Sequence, residues 1–118
     1  MSAVTFQNVK KVYSNGYEAI KNLCLGIKNG EFLVFVGPSG CGKSTALRML
    51  AGLEDISDGK LLIGDRVGND QTPQQRNIAM VFQNYALYPH MTVRQNLEFP
   101  LRMAGLPKGE IQNKVIKA

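Results

Sequence analysis

The sequence predicts an α/β fold in which strands buried on both faces alternate with helices. Three observations carry that prediction. Phe32 to Val36 is a continuous apolar run that leads into a glycine-rich loop. From Lys43 onward the apolar residues change to a helical spacing. A second continuous apolar run, Ile78 to Phe82, has the same look as the first. A run apolar on both sides suits a central parallel strand covered by helices above and below.

The elements follow in order. Residues 3–9 alternate as a half-buried strand, with Val4, Phe6 and Asn8 on one side and Thr5, Gln7 and Val9 on the other. Ser14-Asn15-Gly16 marks a turn. Ile20 to Ile27 reads as a second strand, with Leu23, Leu25 and Ile27 sharing a side. Asn29-Gly30 is a tight turn, and Phe32 to Val36 is the first candidate central strand. Beyond the loop, Ala46, Leu47, Leu50 and Leu53 form one face of a helix that Gly52 and Ser57-Asp58-Gly59 end. Lys60 to Val67 is a strand punctuated by Gly64 and Gly68, with Asp65 as a turn residue. After the loop at Gln71-Thr72-Pro73 comes the second candidate central strand, Ile78 to Phe82.

Asn84 to Met91 is a tyrosine-rich loop. Thr92 with Gln95 three residues later is a capping box, which starts a helix whose Val93, Leu97, Leu101 and Ala104 share a face. Pro100 is expected to bend or interrupt it, and Gly105-Leu106-Pro107 to stop it. A last helix begins near Lys108. A ten-residue helix is marginal without partners, so the chain reads as the front of a longer fold.

Composition narrows the function. Of 118 residues, 44% are hydrophobic and 19% charged, which supports a packed core over wholesale disorder. The 14 Lys and Arg outnumber the 9 Asp and Glu, for a net charge of +5, but they are scattered. No basic run interleaves with aromatics, which argues against nucleic acid as a partner. Cys24 and Cys41 make neither a disulfide framework nor a metal motif. No secretory signal opens the sequence, and no apolar run approaches the ~20 residues of a membrane helix. The expectation is a soluble cytoplasmic protein able to dock on a membrane partner.

The chemistry is concentrated in Gly37-Pro38-Ser39-Gly40-Cys41-Gly42-Lys43-Ser44, which fits the phosphate-binding pattern G-x-x-x-x-G-K-[ST]. Glycines let successive backbone N–H groups turn toward phosphate oxygens. The helix starting at Lys43 aims its free N–H groups and positive dipole end at the same place. Lys43 supplies charge for the β- and γ-phosphates, Ser44 a hydroxyl for Mg²⁺, and Thr45 a hydroxyl near the α-phosphate. These features call for ATP and Mg²⁺ as ligands. Gln83 follows the second apolar run at a strand end, where it either bonds the γ-phosphate and a metal-bound water or serves as a loop residue. Tyr13 either stacks on adenine or packs as a surface tyrosine. Cys41, beside Lys43 and a helix start, is reactive but not catalytic.

The blocks 37–45, 47–54 (Leu-Arg-Met-Leu-Ala-Gly-Leu-Glu) and 80–93 (Met-Val-Phe-Gln-Asn-Tyr-Ala-Leu-Tyr-Pro-His-Met-Thr-Val) resemble the ATP-binding subunits of ABC transporters. The resemblance runs from about Val4 to the end. Tyr85 to Val93 looks most like the branch that energises carbohydrate uptake, including maltose- and glycerol-phosphate-type importers. The resemblance implies an ABC-type phosphate-loop NTPase fold, present as its N-terminal portion. Residues 1–83 would form part of the nucleotide-binding core, with an antiparallel β region, and residues 84–118 the start of a helical subdomain. It implies that Tyr13 stacks on adenine, that Gly37 to Thr45 hold the phosphates with Ser44 on Mg²⁺, and that Gln83 completes the Mg²⁺ and γ-phosphate environment. Lys43 and Gln83 are thus the candidate catalytic residues. Tyr85, Leu87, Tyr88, Pro89 and His90 become candidate contacts for a membrane permease at the inner face of the membrane. The family's paired ATPase subunits imply a dimer. The signature Leu-Ser-Gly-Gly-Gln, the acidic magnesium-site strand, the catalytic glutamate and the switch histidine would all lie beyond Ala118, so His90 is not that histidine. The chain alone is expected to bind nucleotide without turning it over. A small-molecule kinase, and a short non-enzymatic module that binds nucleotide or permease, are the rival readings.

Overall fold

The computed structural model describes residues 2–118. They divide into two compact units, the first ending at Met80 and the second running from Val81 to Ala118. Each has its own organisation.

The first unit is built on four antiparallel strands in the order β2-β1-β3-β4: β1 Val4–Val12, β2 Glu18–Ile27, β3 Asp58–Ile63 and β4 Arg66–Val67. One helix, α1, spans Lys43–Ala51. Turns at the foreseen places make this topology. The β1–β2 hairpin closes at Ser14-Asn15-Gly16, where Gly16 has φ 84° and its N–H donates to the Tyr13 carbonyl at 2.9 Å. The β3–β4 hairpin pairs Ile63 with Arg66, leaving Gly64 and Asp65 as its two-residue loop.

Strict alternation in β1 fails at Asn8. The sequence places Phe6 and Val9 on opposite sides, yet both are almost fully buried, at 1% and 0% exposure. Phe6 pairs with Leu25 and Val9 with Leu23, so three residues of β1 oppose two of β2. The same count holds across the other edge, where Gln7 pairs with Lys60 and Lys10 with Asp58. The extra residue is a β-bulge that turns Val9 onto the face of Phe6. Asn8 takes the left-handed conformation this needs, with φ 49°. Across from it a Cβ on Gly59 would stand 2.3 Å from the Asn8 carbonyl oxygen, so only glycine fits.

Phe6, Val9, Met49 and Leu61 form the core, and Ile20, Leu23, Leu25, Leu50 and Ile56 pack around it. The buried face of α1 is Ala46, Met49 and Ala51. This corrects the expected face of Ala46, Leu47, Leu50 and Leu53, because Leu47 and Leu53 are exposed. The helix lies on the antiparallel sheet through Met49, and its Leu47 side faces an open groove beside residues 32–35.

The two expected central strands are not strands. Residues 32–36 and 78–82 carry no ladder pairing among the described residues, and Phe32, Val36 and Val81 are each at least 85% exposed. Apolarity on both faces specifies burial, but a strand forms only where neighbouring backbones complete its hydrogen bonds. None of the four paired strands forms a ladder with these runs.

In the second unit, α2 (Val93–Met103) and α3 (Lys108–Lys117) are joined through Gly105, with φ 76°. The Thr92 and Gln95 capping box forms as read. Pro100 does not interrupt α2, which continues through it to Met103. Proline removes only one intrahelical donor, and Glu98 bridges that stretch by pairing with Arg102 at 2.5 Å. The expected apolar face of α2 is not buried among the described residues, whereas α3 buries Ile111 and Val115. No helix among the described residues is long and apolar enough to cross a membrane.

Candidate functional site

The loop from Gly37 to Gly42 enters α1 with Gly42 as its N-cap, at φ 98°. A Cβ there would meet the Ala19 carbonyl at 3.0 Å and Ile20 Cγ1 at 3.2 Å, so β2 presses directly on the loop. A Cβ on Gly37 would stand 2.6 Å from Cys41 Sγ. Backbone angle and close packing therefore both demand glycine at position 42, while Gly37 makes room for the neighbouring thiol.

Lys43 folds back over the loop. Its Nζ donates to the carbonyls of Gly37 at 2.5 Å and Pro38 at 2.8 Å, and lies 3.5 Å from Cys41 Sγ. The ammonium meets carbonyl dipoles there and makes no ion pair among the described residues. The first turn of α1 carries no acidic residue, and no side chain caps it. A helix start without carboxylate or cap leaves N–H groups and a positive field for an external anion.

Beside the loop lies an open cleft of about 510 Å³, lined by Tyr13, Tyr17, Ser39, Gly40 and the residues from Gly42 to Thr45. The cleft thus gathers Tyr13 with Ser39, Gly40, Gly42, Lys43, Ser44 and Thr45, while Gly37, Pro38 and Cys41 do not line it. The Tyr13 hydroxyl donates to Glu54 at 2.7 Å, and Arg48 holds the same carboxylate at 2.9 Å. Lys11 Nζ sits 5.2 Å from the centre of the Tyr13 ring. Tyr13 is therefore held by its hydroxyl with its ring flanking the cleft.

Gln83 belongs to the second unit, in an exposed turn. Directly after it, Tyr85 and Ala86 both take the left-handed conformation, at φ 61° and 49°. Such angles are rare for a bulky residue, and here they leave Tyr85 exposed. Leu87, Tyr88, Pro89 and His90 are exposed as well. Tyr88 packs on Phe99, with ring centres 5.0 Å apart, and meets His90 edge-on at 6.1 Å.

Two organising side chains escaped the sequence reading. Asn96 accepts from the Tyr88 N–H at 2.9 Å and donates to the carbonyls of Tyr88, Met91 and Thr92, tying the tyrosine loop to α2. Arg76 is buried and donates to the carbonyls of Met49, Leu50, Gly68 and Gln71. Burial pushes its guanidinium pKa down, and the nearby Asp55 carboxylate partly opposes that. It satisfies carbonyls at the C-terminal end of α1, the helix whose other end faces the cleft. Neither residue sits in a recognisable motif. Only an asparagine within the first turns of a helix, and an arginine just after a turn, were there to be noticed.

Comparison with known proteins agrees with this geometry. Residues 20–118 match the ABC transporter family. The chain is 58% identical over all its 118 residues to an sn-glycerol-3-phosphate import ATP-binding protein of Agrobacterium fabrum, covering 33% of that protein. It is 59% identical over 115 residues to the lactose transport ATP-binding protein LacK of Rhizobium radiobacter, covering 98% of this chain and 31% of that protein. The chain thus spans about a third of the length of these curated relatives. Among solved structures, the dimeric post-hydrolysis state of the ATP-binding cassette MJ0796, bound to ADP and Pi, matches with a TM-score of 0.84 and 32% identity. That match covers 97% of this chain and 54% of the other. A bacterial Atm1-family ABC exporter with ATP bound matches with a TM-score of 0.75 and 30% identity, over 83% of this chain and 18% of the exporter. The glycine loop, its lysine and the helix it opens are thus part of an α/β phosphate-loop fold, and the chain belongs to the ABC transporter family of ATP-binding proteins.

Proposed function

We propose that this chain is the nucleotide-binding front portion of the ATP-hydrolysing subunit of an importer for a sugar or a related solute. The observation that carries the reading is the uncapped, carboxylate-free start of α1 beneath the Lys43 ammonium. Two relatives with import or transport of glycerol phosphate and lactose in their names support the solute class.

Gly37, Pro38, Ser39, Gly40, Cys41 and Gly42 form the backbone cradle for the phosphates. Lys43 exchanges its loop carbonyls for β- and γ-phosphate oxygens, Thr45 approaches the α-phosphate, and Tyr13 takes the base. The residues also fit Mg²⁺. Among the described residues no three His, Cys, Asp or Glu side chains cluster into a metal cage. Mg²⁺ prefers a few protein oxygens with phosphate and water completing its shell. The Ser44 hydroxyl, at the start of α1 and lining the cleft, is such an oxygen. Ser44 and the Gln83 amide would hold the ion, and the bound ion neutralises phosphate charge. Lys43 stabilises charge on the transferred group, and Gln83 orients water. Residues 1–83 serve as the nucleotide core and 84–118 as the start of a helical subdomain. There the exposed Tyr85, Leu87, Tyr88, Pro89 and His90 dock on a permease at the inner face of the membrane. Two ATPase subunits pair in the working transporter, and this chain alone binds without turnover.

The test is a thermal melt with and without Mg-ATP. A ligand that binds only the folded state raises the melting temperature. ATP is expected to raise it in the parent chain and to leave Lys43→Ala unmoved. A cooperative melt indifferent to ATP in the parent would overturn the reading.

A further inference from the structure

The hairpin that carries Tyr13 carries a second ring. Tyr13 and Tyr17 flank the turn, and the Tyr13 N–H donates to the Tyr17 carbonyl at 2.9 Å, which fixes the two residues across from one another. Their rings are nearly parallel, at 11°, with centres 6.4 Å apart. Both line the cleft that the phosphate-loop residues Ser39, Gly40 and Gly42 to Thr45 complete. Flat aromatic layers stack about 3.4 Å apart, so two rings with one base between them stand about 6.8 Å apart. The ring planes can stand no farther apart than the 6.4 Å between centres, short of that span, so a base enters only as the freer ring shifts outward.

The two walls differ in kind. Tyr13 is tethered through its hydroxyl to Glu54, which Arg48 holds in turn. Tyr17 is 56% exposed, and its side chain makes no hydrogen bond among the described residues. One wall is fixed, and the other is an uncommitted apolar ring at the mouth of the cleft. An aromatic face left in water beside a fixed parallel partner gains most by covering the face of a ligand.

We propose that Tyr17 is a second base-binding residue, which with Tyr13 sandwiches the base of a nucleotide whose phosphates occupy the Gly37 to Thr45 loop. This rests on the nucleotide-binding reading above and adds a preference to it. A two-sided slot rewards ring area, so purine nucleotides bind better than pyrimidine nucleotides. Stacking reads a π-face and not hydrogen-bond edges, so ATP and GTP are discriminated less than ATP and CTP.

The test is calorimetric titration of the protein with Mg-ATP, Mg-CTP and Mg-triphosphate, the last having no base. Tyr17→Ala is expected to weaken ATP binding about tenfold, within the range for loss of one aromatic stacking partner. It leaves triphosphate affinity unchanged within twofold and narrows the ratio of ATP to CTP affinity. Tyr17→Phe keeps the ring and restores ATP affinity to within about twofold. Because Tyr17 is an exposed turn residue, triphosphate binding by Tyr17→Ala doubles as the check that the variant is folded. If Tyr17→Ala binds ATP as the parent does, or loses ATP and triphosphate equally, the two-walled slot is wrong and the phosphate-site reading stands. If the folded parent binds neither ATP nor triphosphate, both fall together.

Discussion

Replacing Arg76 by methionine keeps the length of its stem and removes all its donors. In the structure the guanidinium donates at 2.6 Å to the Met49 and Gly68 carbonyls and at 3.0 Å to those of Leu50 and Gln71. The two shorter bonds are buried, and the two longer ones are part-buried. A hydrogen bond to a charged donor is worth about 1.5–3 kcal/mol when buried; the Met49 and Gly68 carbonyls each keep one backbone partner, the Gly52 and Gln71 N–H groups, and the part-buried carbonyls recover water. Two buried bonds therefore put the gross loss at roughly 3–6 kcal/mol. Removing a desolvated cation returns part of that, because the charged form is penalised by burial. The expected net loss for Arg76→Met is about 2–4 kcal/mol, a large share of the ~5–15 kcal/mol that stabilises a typical domain. Urea unfolding followed by circular dichroism measures it, with the slope unchanged if the native surface is unchanged. Arg76→Lys keeps the charge but loses the planar fork that reaches several carbonyls, so it recovers less than half. A loss under about 0.5 kcal/mol for Arg76→Met, the range of ordinary surface changes, would refute the claim that these bonds hold the end of α1.

Other positions give sharper geometric tests. Gly59→Ala places a methyl 2.3 Å from the Asn8 carbonyl at a residue with φ 88°, and should cost more than about 2 kcal/mol in the same urea assay. Gly52→Ala meets Arg76 Nε at 2.8 Å with φ 79°, and its effect should not add to that of Arg76→Met, since a double-mutant cycle removes the shared contact. Asn96→Ala releases three bonds to the tyrosine loop and one to the Thr92 carbonyl, so amide exchange at Tyr88 should speed by roughly tenfold, while Thr92→Ala should cost about 1 kcal/mol through the lost cap. Met49→Ala, at the centre of the core with no exposure, should cost about 2–5 kcal/mol in the urea assay.

Much of the local structure was legible because single residues dictate it. The turn at Ser14-Asn15-Gly16, the stop at Gly105 and the start at Thr92 each follow from one residue's backbone freedom or capping group. The phosphate loop was legible for the same reason, since glycine spacing and a lysine at a helix start are local signals. What stayed hidden depends on partners distant in sequence. The bulge at Asn8 is set by pairing with β2 and β3, and alternation read along one strand assumes an unbroken period. The burial of α1 turned on which sheet it meets, so Met49 outranked Leu47 as a core residue. The runs at 32–36 and 78–82 had the composition of buried strands but not the ladder. Arg76 bonds carbonyls as many as 27 residues away, and a carbonyl has no sequence signature. The parallel setting of the Tyr17 and Tyr13 rings was likewise visible only once the hairpin had formed.

The inward fold of Lys43 has a consequence for selectivity. The ammonium is already engaged by the Gly37 and Pro38 carbonyls, so an arriving anion competes with the loop for its own lysine. A small anion offering one oxygen replaces two dipolar contacts with one charged contact and gains little. A chain of phosphates takes the lysine and the helix-start amides at once, and the second set of contacts requires no further release. If the loop holds phosphates as proposed, this self-occupancy would set a threshold that a single anion meets poorly and an extended phosphate chain meets readily.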